Sequence, residues 1–216
     1  MALKLHGSPI STCTSRVLAC AYEKAADIEV VPVDLQAGEH KSPAYLATKN
    51  PFGLIPVLED GDLSLFESRA ITRYIATKYK GQGTDLLRKD NIKEAAVVGV
   101  WTEVESQNYN PPIGALVNEL LFKPLYGGSP DEEVVKAQTE KLEKVLDVYE
   151  ARLSKYKYLA GNFISLADLH HVGYTNYFLK TSKAHVFNSR PHVKAWWEDI
   201  SSRPAVQKAV AGMILG

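Results

Sequence analysis

A chain of 216 residues with 45% hydrophobic and 23% charged residues has the composition of an ordinary folded protein, long enough to bury a core without staples. Lys plus Arg number 25 and Asp plus Glu 25, so no net basic field exists to hold nucleic acid or an anionic membrane surface. Two cysteines, Cys13 and Cys20, exclude a disulfide scaffold and a four-thiolate zinc site.

Residues 3–6 and 28–33 read as strands, the second on the β-branched Ile28, Val30, Val31 and Val33. Between them Arg16 to Lys24 sets Val17, Leu18, Cys20 and Ala21 at helical spacing. Val57-Leu58-Glu59 and Asp62 to Phe66 flank Asp60-Gly61, a pair that suits a tight hairpin turn. Ser68 is the expected cap of a helix through Ala70, Ile71, Tyr74 and Ile75. The order β-α-β, loop, β-hairpin, helix predicts a small mixed sheet covered by helices.

Lys80 to Asp85, rich in Gly and polar groups, reads as the start of a linker over 81–90. Beyond it no strand-like alternation persists. A helix over 91–107 is expected to end at Asn110-Pro111-Pro112. Ser129-Pro130-Asp131-Glu132 and Ser165-Leu166-Ala167-Asp168 read as helix starts, and Arg203-Pro204 splits a last helical pair. The opening Met1-Ala2-Leu3-Lys4-Leu5-His6-Gly7 lacks the apolar stretch of a secretory leader. Runs such as Val30 to Val33 and Leu18 to Tyr22 are too short for a bilayer span. The expected location is the cytosol, in the cytoplasm.

Four loop segments carry chemistry. Ser11-Thr12-Cys13-Thr14-Ser15-Arg16 opens the first helix, where hydroxyls sit beside unpaired N–H groups and the positive end of the helix dipole; they read as caps or as an anion site. Glu39-His40-Lys41 offers two cations that clamp a carboxylate or form a solvated charge run. In Asn50-Pro51-Phe52-Gly53-Leu54-Ile55-Pro56 the bond before Pro56 is a place for a cis peptide, which turns the Ile55 amide and carbonyl toward a ligand backbone. In Phe66-Glu67-Ser68-Arg69-Ala70, Glu67 accepts an ammonium, and Ser68 at a helix start holds a carboxylate. Together they partner two carboxylates, an ammonium, a peptide backbone and a thiol, which suits a short zwitterionic peptide.

These segments, with Lys144-Val145-Leu146-Asp147-Val148-Tyr149-Glu150, Tyr158-Leu159-Ala160-Gly161, Leu166-Ala167-Asp168 and Arg190-Pro191-His192-Val193, lie in the order of a soluble glutathione transferase. The chain resembles that family over essentially its whole length and is most similar to the plant phi class. The resemblance implies an α/β plus all-α fold: a thioredoxin-like mixed-sheet domain over 1–80 that binds glutathione, the linker, and an all-helical domain over 91–216 that contributes the hydrophobic substrate site. It implies a homodimer, glutathione as co-substrate and no metal. Ser11 would face the glutathione sulfur, His40 and Lys41 the glycyl carboxylate, Ile55 and Pro56 the cysteinyl backbone, and Glu67 and Ser68 the γ-glutamyl end, with Arg16 and Arg69 in support. Where the family usually carries Gln, this chain has Leu54, which removes a side-chain amide contact to the tripeptide.

Related thiol transferases place a Cys where Ser11 stands, so the expected activity is conjugation of the glutathione thiolate to hydrophobic electrophiles, with reduction of organic hydroperoxides. The alternative is a non-catalytic carrier of flavonoids or other amphipathic metabolites. The electrophile is expected between the two domains, on Ile10, Thr12 and Leu35 from the first and Tyr109, Ile113, Phe122, Tyr177 and Phe178 from the second; core packing accounts for each of these equally well. His170-His171 are adjacent on a helix and point about 100° apart, so they do not chelate. Ser165 and Asp168 read instead as a reciprocal cap, with Ile164 and Leu169 as its hydrophobic staple, and Trp196 and Trp197 as packing residues.

Overall fold

The computed structural model describes residues 2–215. The chain divides into two compact units: that through Leu87 joined by the segment from Pro204 onward, and Arg88–Arg203. The first contains β1 (Leu3–Gly7), α1 (Thr12–Glu23), β2 (Ile28–Pro32), a 3-10 turn (Glu39–Lys41), α2 (Pro43–Thr48), β3 (Val57–Asp60), β4 (Leu63–Leu65) and α3 (Ser68–Lys78). The sheet order is β2-β1-β3-β4. β1 runs parallel to β2, as a helical crossover requires, and antiparallel to β3, which pairs antiparallel with β4. The hairpin turn is Gly61-Asp62 rather than Asp60-Gly61, because Asp60 pairs with Leu63 and Gly61 takes φ +64°. Glycine first in the pair, at positive φ, is the order of a type II′ turn.

Register settles where the loops emerge. Gly7 pairs with Pro32, His6 with Val57, and Leu58 with Leu65. The ends of β1, β2 and β4 and the start of β3 therefore share one edge of the sheet, and so do the four segments that carry chemistry. One sheet face is covered by α1 and α3, with Val17, Cys20, Ala21, Ile71 and Ile75 buried. The other carries a smaller cluster of Val33, Tyr45 and Val57 flanked by Leu35, Ile55 and Phe66.

The linker is strapped down. The Thr84 N–H donates to the Glu23 carbonyl at 3.0 Å, Thr84 Oγ1 to Glu23 Oε2 at 2.7 Å, and Lys24 Nζ to the Thr84 carbonyl at 2.8 Å. Gly83 has φ +55°, and a Cβ there would lie 2.0 Å from the Glu23 carbonyl oxygen, so only glycine fits this close approach. The segment from Pro204, expected with the helical part, instead packs on α1 because its Val206, Ala209 and Met213 are apolar and buried there.

In the second unit the run from α4 (Ile92–Val104) does not stop at the prolines. It passes through a π turn (Glu105–Tyr109) into α5 (Asn110–Val117), then a second π turn (Asn118–Phe122) and α6 (Lys123–Leu125). Pro111 and Pro112 sit in the first turn of α5, where the wider π register absorbs their missing N–H groups. α7 (Glu132–Leu153) is capped by Asp131, two residues after the expected Ser129, because Asp131 Oδ1 accepts from the Glu133 and Val134 N–H groups. α8 (Leu166–Leu169), α9 (Val172–Phe178), α10 (Ala184–Asn188) and α11 (Pro191–Ser201) complete the unit; α12 (Pro204–Val210) belongs to the first.

Ser165 and Asp168 form the expected capping box, over which Ile164 and Leu169 are buried. Trp196 and Trp197 are buried as well, both against the Phe187 ring. No helix among the described residues is long and apolar enough to cross a membrane.

Candidate active site

Ser11 caps α1. With φ −76° and ψ 127° it lies just outside the helix, and its Oγ accepts the Thr14 N–H at 3.2 Å. A hydroxyl that accepts through a lone pair still has its own proton to give. Capping and ligand recognition are therefore not rivals at this residue: the cap fixes Oγ and leaves its O–H as a donor at the positive end of the helix. Gly7 precedes this turn because a Cβ there would meet Thr14 Oγ1 at 2.6 Å. Cys13 is a half-buried free thiol, whereas burial pushes the Cys20 thiol well up, which leaves it unreactive.

The second and third segments hold each other. Lys41 Nζ donates to the Phe52 carbonyl at 3.3 Å, and Gly53, at φ +60°, lets the His40 carbonyl approach to where a Cβ would be 2.8 Å away. His40 Nδ1 is buried with no hydrogen-bond partner among the described residues. Buried Asn50 organises the turn: its Oδ1 accepts the Phe52 N–H at 3.0 Å and its Nδ2 donates to the Leu54 carbonyl at 2.9 Å. Tyr45 Oη donates to the same carbonyl at 3.2 Å, its phenol pushed up to about 12 by burial and so protonated. The Ile55–Pro56 bond is cis, at the place the sequence offers for it, and the Leu54 side chain is 51% exposed.

The fourth segment differs from its expected form. The cap of α3 is Glu67, not Ser68, at φ +69° with no side-chain cap. A non-glycine residue held in this region is strained. Ser68 is then the first helical residue, buried, and accepts from Arg16 Nη1 at 2.9 Å across 52 residues of sequence. Arg69 is half-buried beside it. The Phe52 and Phe66 rings meet edge-on at 6.1 Å, joining the third segment to the fourth. Asn50, Tyr45 and the buried state of Arg16 escape a reading by residue type; the Asn-Pro pair is the one local hint, as a turn former.

Of the residues expected to face an electrophile, Ile10 is exposed, Leu35 half-buried and Thr12 buried. In the second unit Tyr109, Ile113, Tyr177 and Phe178 are fully enclosed, which corrects the expectation that they present a substrate surface. Tyr109 stacks on Tyr149 with centroids 5.7 Å apart and shares a 2.7 Å hydrogen bond with Thr175 Oγ1, so its polar tip is satisfied internally. Phe122, edge-on to Tyr177 at 5.3 Å, keeps some surface. His171 Nε2 lies 3.0 Å from Tyr149 Oη, and no group of three His, Cys, Asp or Glu among the described residues is arranged to hold a metal.

Known proteins share this fold. Residues 1–77 match the family model for the glutathione S-transferase N-terminal domain, and residues 109–204 that for the C-terminal domain. The chain is 54% identical over 213 residues to glutathione S-transferase F13 of Arabidopsis thaliana, covering 99% of this chain and 97% of that one. It superposes on the crystal structure of glutathione transferase F7 from Populus trichocarpa with TM-score 0.96 and 64% identity, over 99% of this chain and 100% of that one. A maize glutathione S-transferase I solved in complex with an atrazine glutathione conjugate superposes with TM-score 0.92 at 48% identity, over 99% and 98% of the two chains. The first unit thus has the thioredoxin-like fold. The chain belongs to the glutathione S-transferase family, and among its members to the plant phi class, whose transferase activity it shares.

Proposed function

We propose that the loop edge of the first unit binds glutathione and that Ser11 donates its O–H to the glutathione sulfur, holding it as a thiolate for attack on hydrophobic electrophiles. The observation that carries this reading is the Ser11 hydroxyl, fixed by the Thr14 N–H yet with its own proton unspent. His40 and Lys41 face the glycyl carboxylate, the Ile55 backbone beside Pro56 pairs with the cysteinyl residue, and Glu67 and Ser68 take the γ-glutamyl ammonium and carboxylate, with Arg69 alongside. Leu54 contributes its backbone, not its side chain. The exposed Ile10 and half-buried Leu35 offer apolar surface near the sulfur. The same thiolate attacks the O–O bond of an organic hydroperoxide, giving glutathione sulfenic acid and the alcohol, and a second glutathione thiol then reduces the sulfenic acid to glutathione disulfide and water.

Binding to glutathione by calorimetry, with turnover of a chloronitroaromatic electrophile, tests the proposal. Absence of turnover in both the wild type and Ser11→Ala would turn the assignment to a carrier of amphipathic metabolites, the reading that the missing amide at Leu54 favours. An amide at position 54 adds one hydrogen bond, worth about 0.5–1.5 kcal/mol. Leu54→Gln is expected to tighten glutathione binding about three- to tenfold with kcat unchanged, as read by calorimetry and steady-state kinetics; an unaltered Kd refutes a contact from this position.

We also infer a homodimer. Phe52 is 66% exposed although its ring rests on Phe66, and α4 presents Ile92 and Val100 at 82% and 58% exposure on one face. A second copy covering these side chains would remove their apolar surface from water, which favours association. Sedimentation at micromolar concentration should return twice the chain mass, and the mass of a single chain would reject the dimer.

A further inference from the structure

Arg16 is the largest side chain with essentially no exposure, at 0%. Its guanidinium stays charged at any accessible pH, so a full positive charge is held inside the first unit. Burying such a charge is unfavourable unless its donors are used. One use is specific: Nη1 donates to Ser68 Oγ at 2.9 Å, and the same nitrogen lies 3.4 Å from Cys13 Sγ.

We propose that Arg16 is a positioning residue for glutathione, acting through Ser68 and touching neither the tripeptide nor the reacting atoms. The proposal rests on the assignment of Ser68 to the γ-glutamyl carboxylate. A guanidinium has donors only, so Ser68 Oγ must accept from it. The Ser68 O–H then points away from Arg16 and is committed as a donor, polarised by the cation behind it. Without Arg16 the hydroxyl is free to rotate and to accept, and a carboxylate loses its aligned donor. One helix also carries both ends of this arrangement. Ser11 caps α1 and Arg16 lies five residues along it, about 7–8 Å at 1.5 Å per residue. The donor for the sulfur and the group that aims the donor for the γ-glutamyl end therefore keep a fixed spacing.

The test is a double-mutant cycle on glutathione affinity, by calorimetry, with KM and kcat measured alongside. Arg16→Gln is expected to weaken glutathione about tenfold and raise its KM alike, with kcat at saturation within threefold and the KM for the electrophile unchanged. In a Ser68→Ala background the same substitution should change affinity less than twofold. Arg16→Lys, which keeps a donor and the charge without the rigid plane, should recover most of the loss. If Arg16→Gln does not fold, Arg16→Lys carries the cycle: a two- to fourfold loss with Ser68 present and none in the Ser68→Ala background supports the proposal. Equal losses in both backgrounds, or no loss with Ser68 present, overturn the positioning role. Should Ser68→Ala alone leave affinity intact, the assignment of the γ-glutamyl end fails first, and the proposal with it.

Discussion

Ser11→Ala is expected to raise the pKa of enzyme-bound glutathione by about 1–2 units and to lower kcat/KM at neutral pH by about three- to tenfold. A free thiol near pKa 8.5 is about 3% ionised at pH 7. A hydroxyl donating to a charged acceptor contributes on the order of 1.5–3 kcal/mol, which at about 1.4 kcal/mol per unit lowers the pKa by about 1–2 units. The thiolate population rises by no more than about thirtyfold, and part of that gain is lost because a less basic sulfur is a weaker nucleophile. The direction with pH follows: wild type should hold its rate down to about pH 7, while the variant recovers only as the pH rises toward the free thiol's value. Titration of thiolate absorbance in the binary complex and the pH profile of kcat/KM check both parts. An unmoved pKa would leave the cap without a catalytic role. The remainder of the acceleration must come from holding the electrophile against the sulfur.

The second large effect belongs to stability. Asp168 is fully buried and accepts from four donors: the Leu159 N–H and Trp196 Nε1 on Oδ1 at 3.0 Å each, and the Ser165 N–H and O–H on Oδ2 at 2.9 and 3.0 Å. Burial raises its pKa, opposed by those same donors. As a capping residue alone, its replacement by Ala would cost about 1 kcal/mol. The structure argues for more, because Asp168→Ala strands three buried N–H groups, each costing about 1–3 kcal/mol when unmet. The expected loss is about 3–5 kcal/mol in chemical denaturation, with Asp168→Asn intermediate because it keeps an acceptor toward Leu159 and Trp196. All these partners lie in the second unit, so activity per folded molecule should persist at low temperature. A loss near 1 kcal/mol would mean that solvent or a rearranged neighbour satisfies the stranded donors.

Much of this protein was legible in its residues. The β-branched run at 28–33, the Gly-bearing hairpin turn and the Ser-x-x-Asp cap are local signals, and each depends on φ, ψ or hydrogen bonds reached within a few residues. That locality is why the mixed sheet and the box at Ser165 follow from sequence. The resemblance to a family likewise rested on segments that keep their order along the chain. Local rules failed where two signals competed. Proline at 111 and 112 breaks a helix in isolation, yet a π turn just before it lets the run continue. Serine at 68 is a good cap by type, yet the positive φ of Glu67 takes that place.

Tertiary structure alone decided the rest. The apolar type of Tyr109, Ile113, Tyr177 and Phe178 suits a core and a cleft equally, and their complete enclosure in the second unit makes them core. That Arg16 meets Ser68 across 52 residues depends on which strand ends share an edge of the sheet. Such pairings are set by strand register and packing, which sum weak interactions over the whole unit, so no short stretch of sequence encodes them. The residues specified the groups available to the site, while the sheet decided which of them came to face one another.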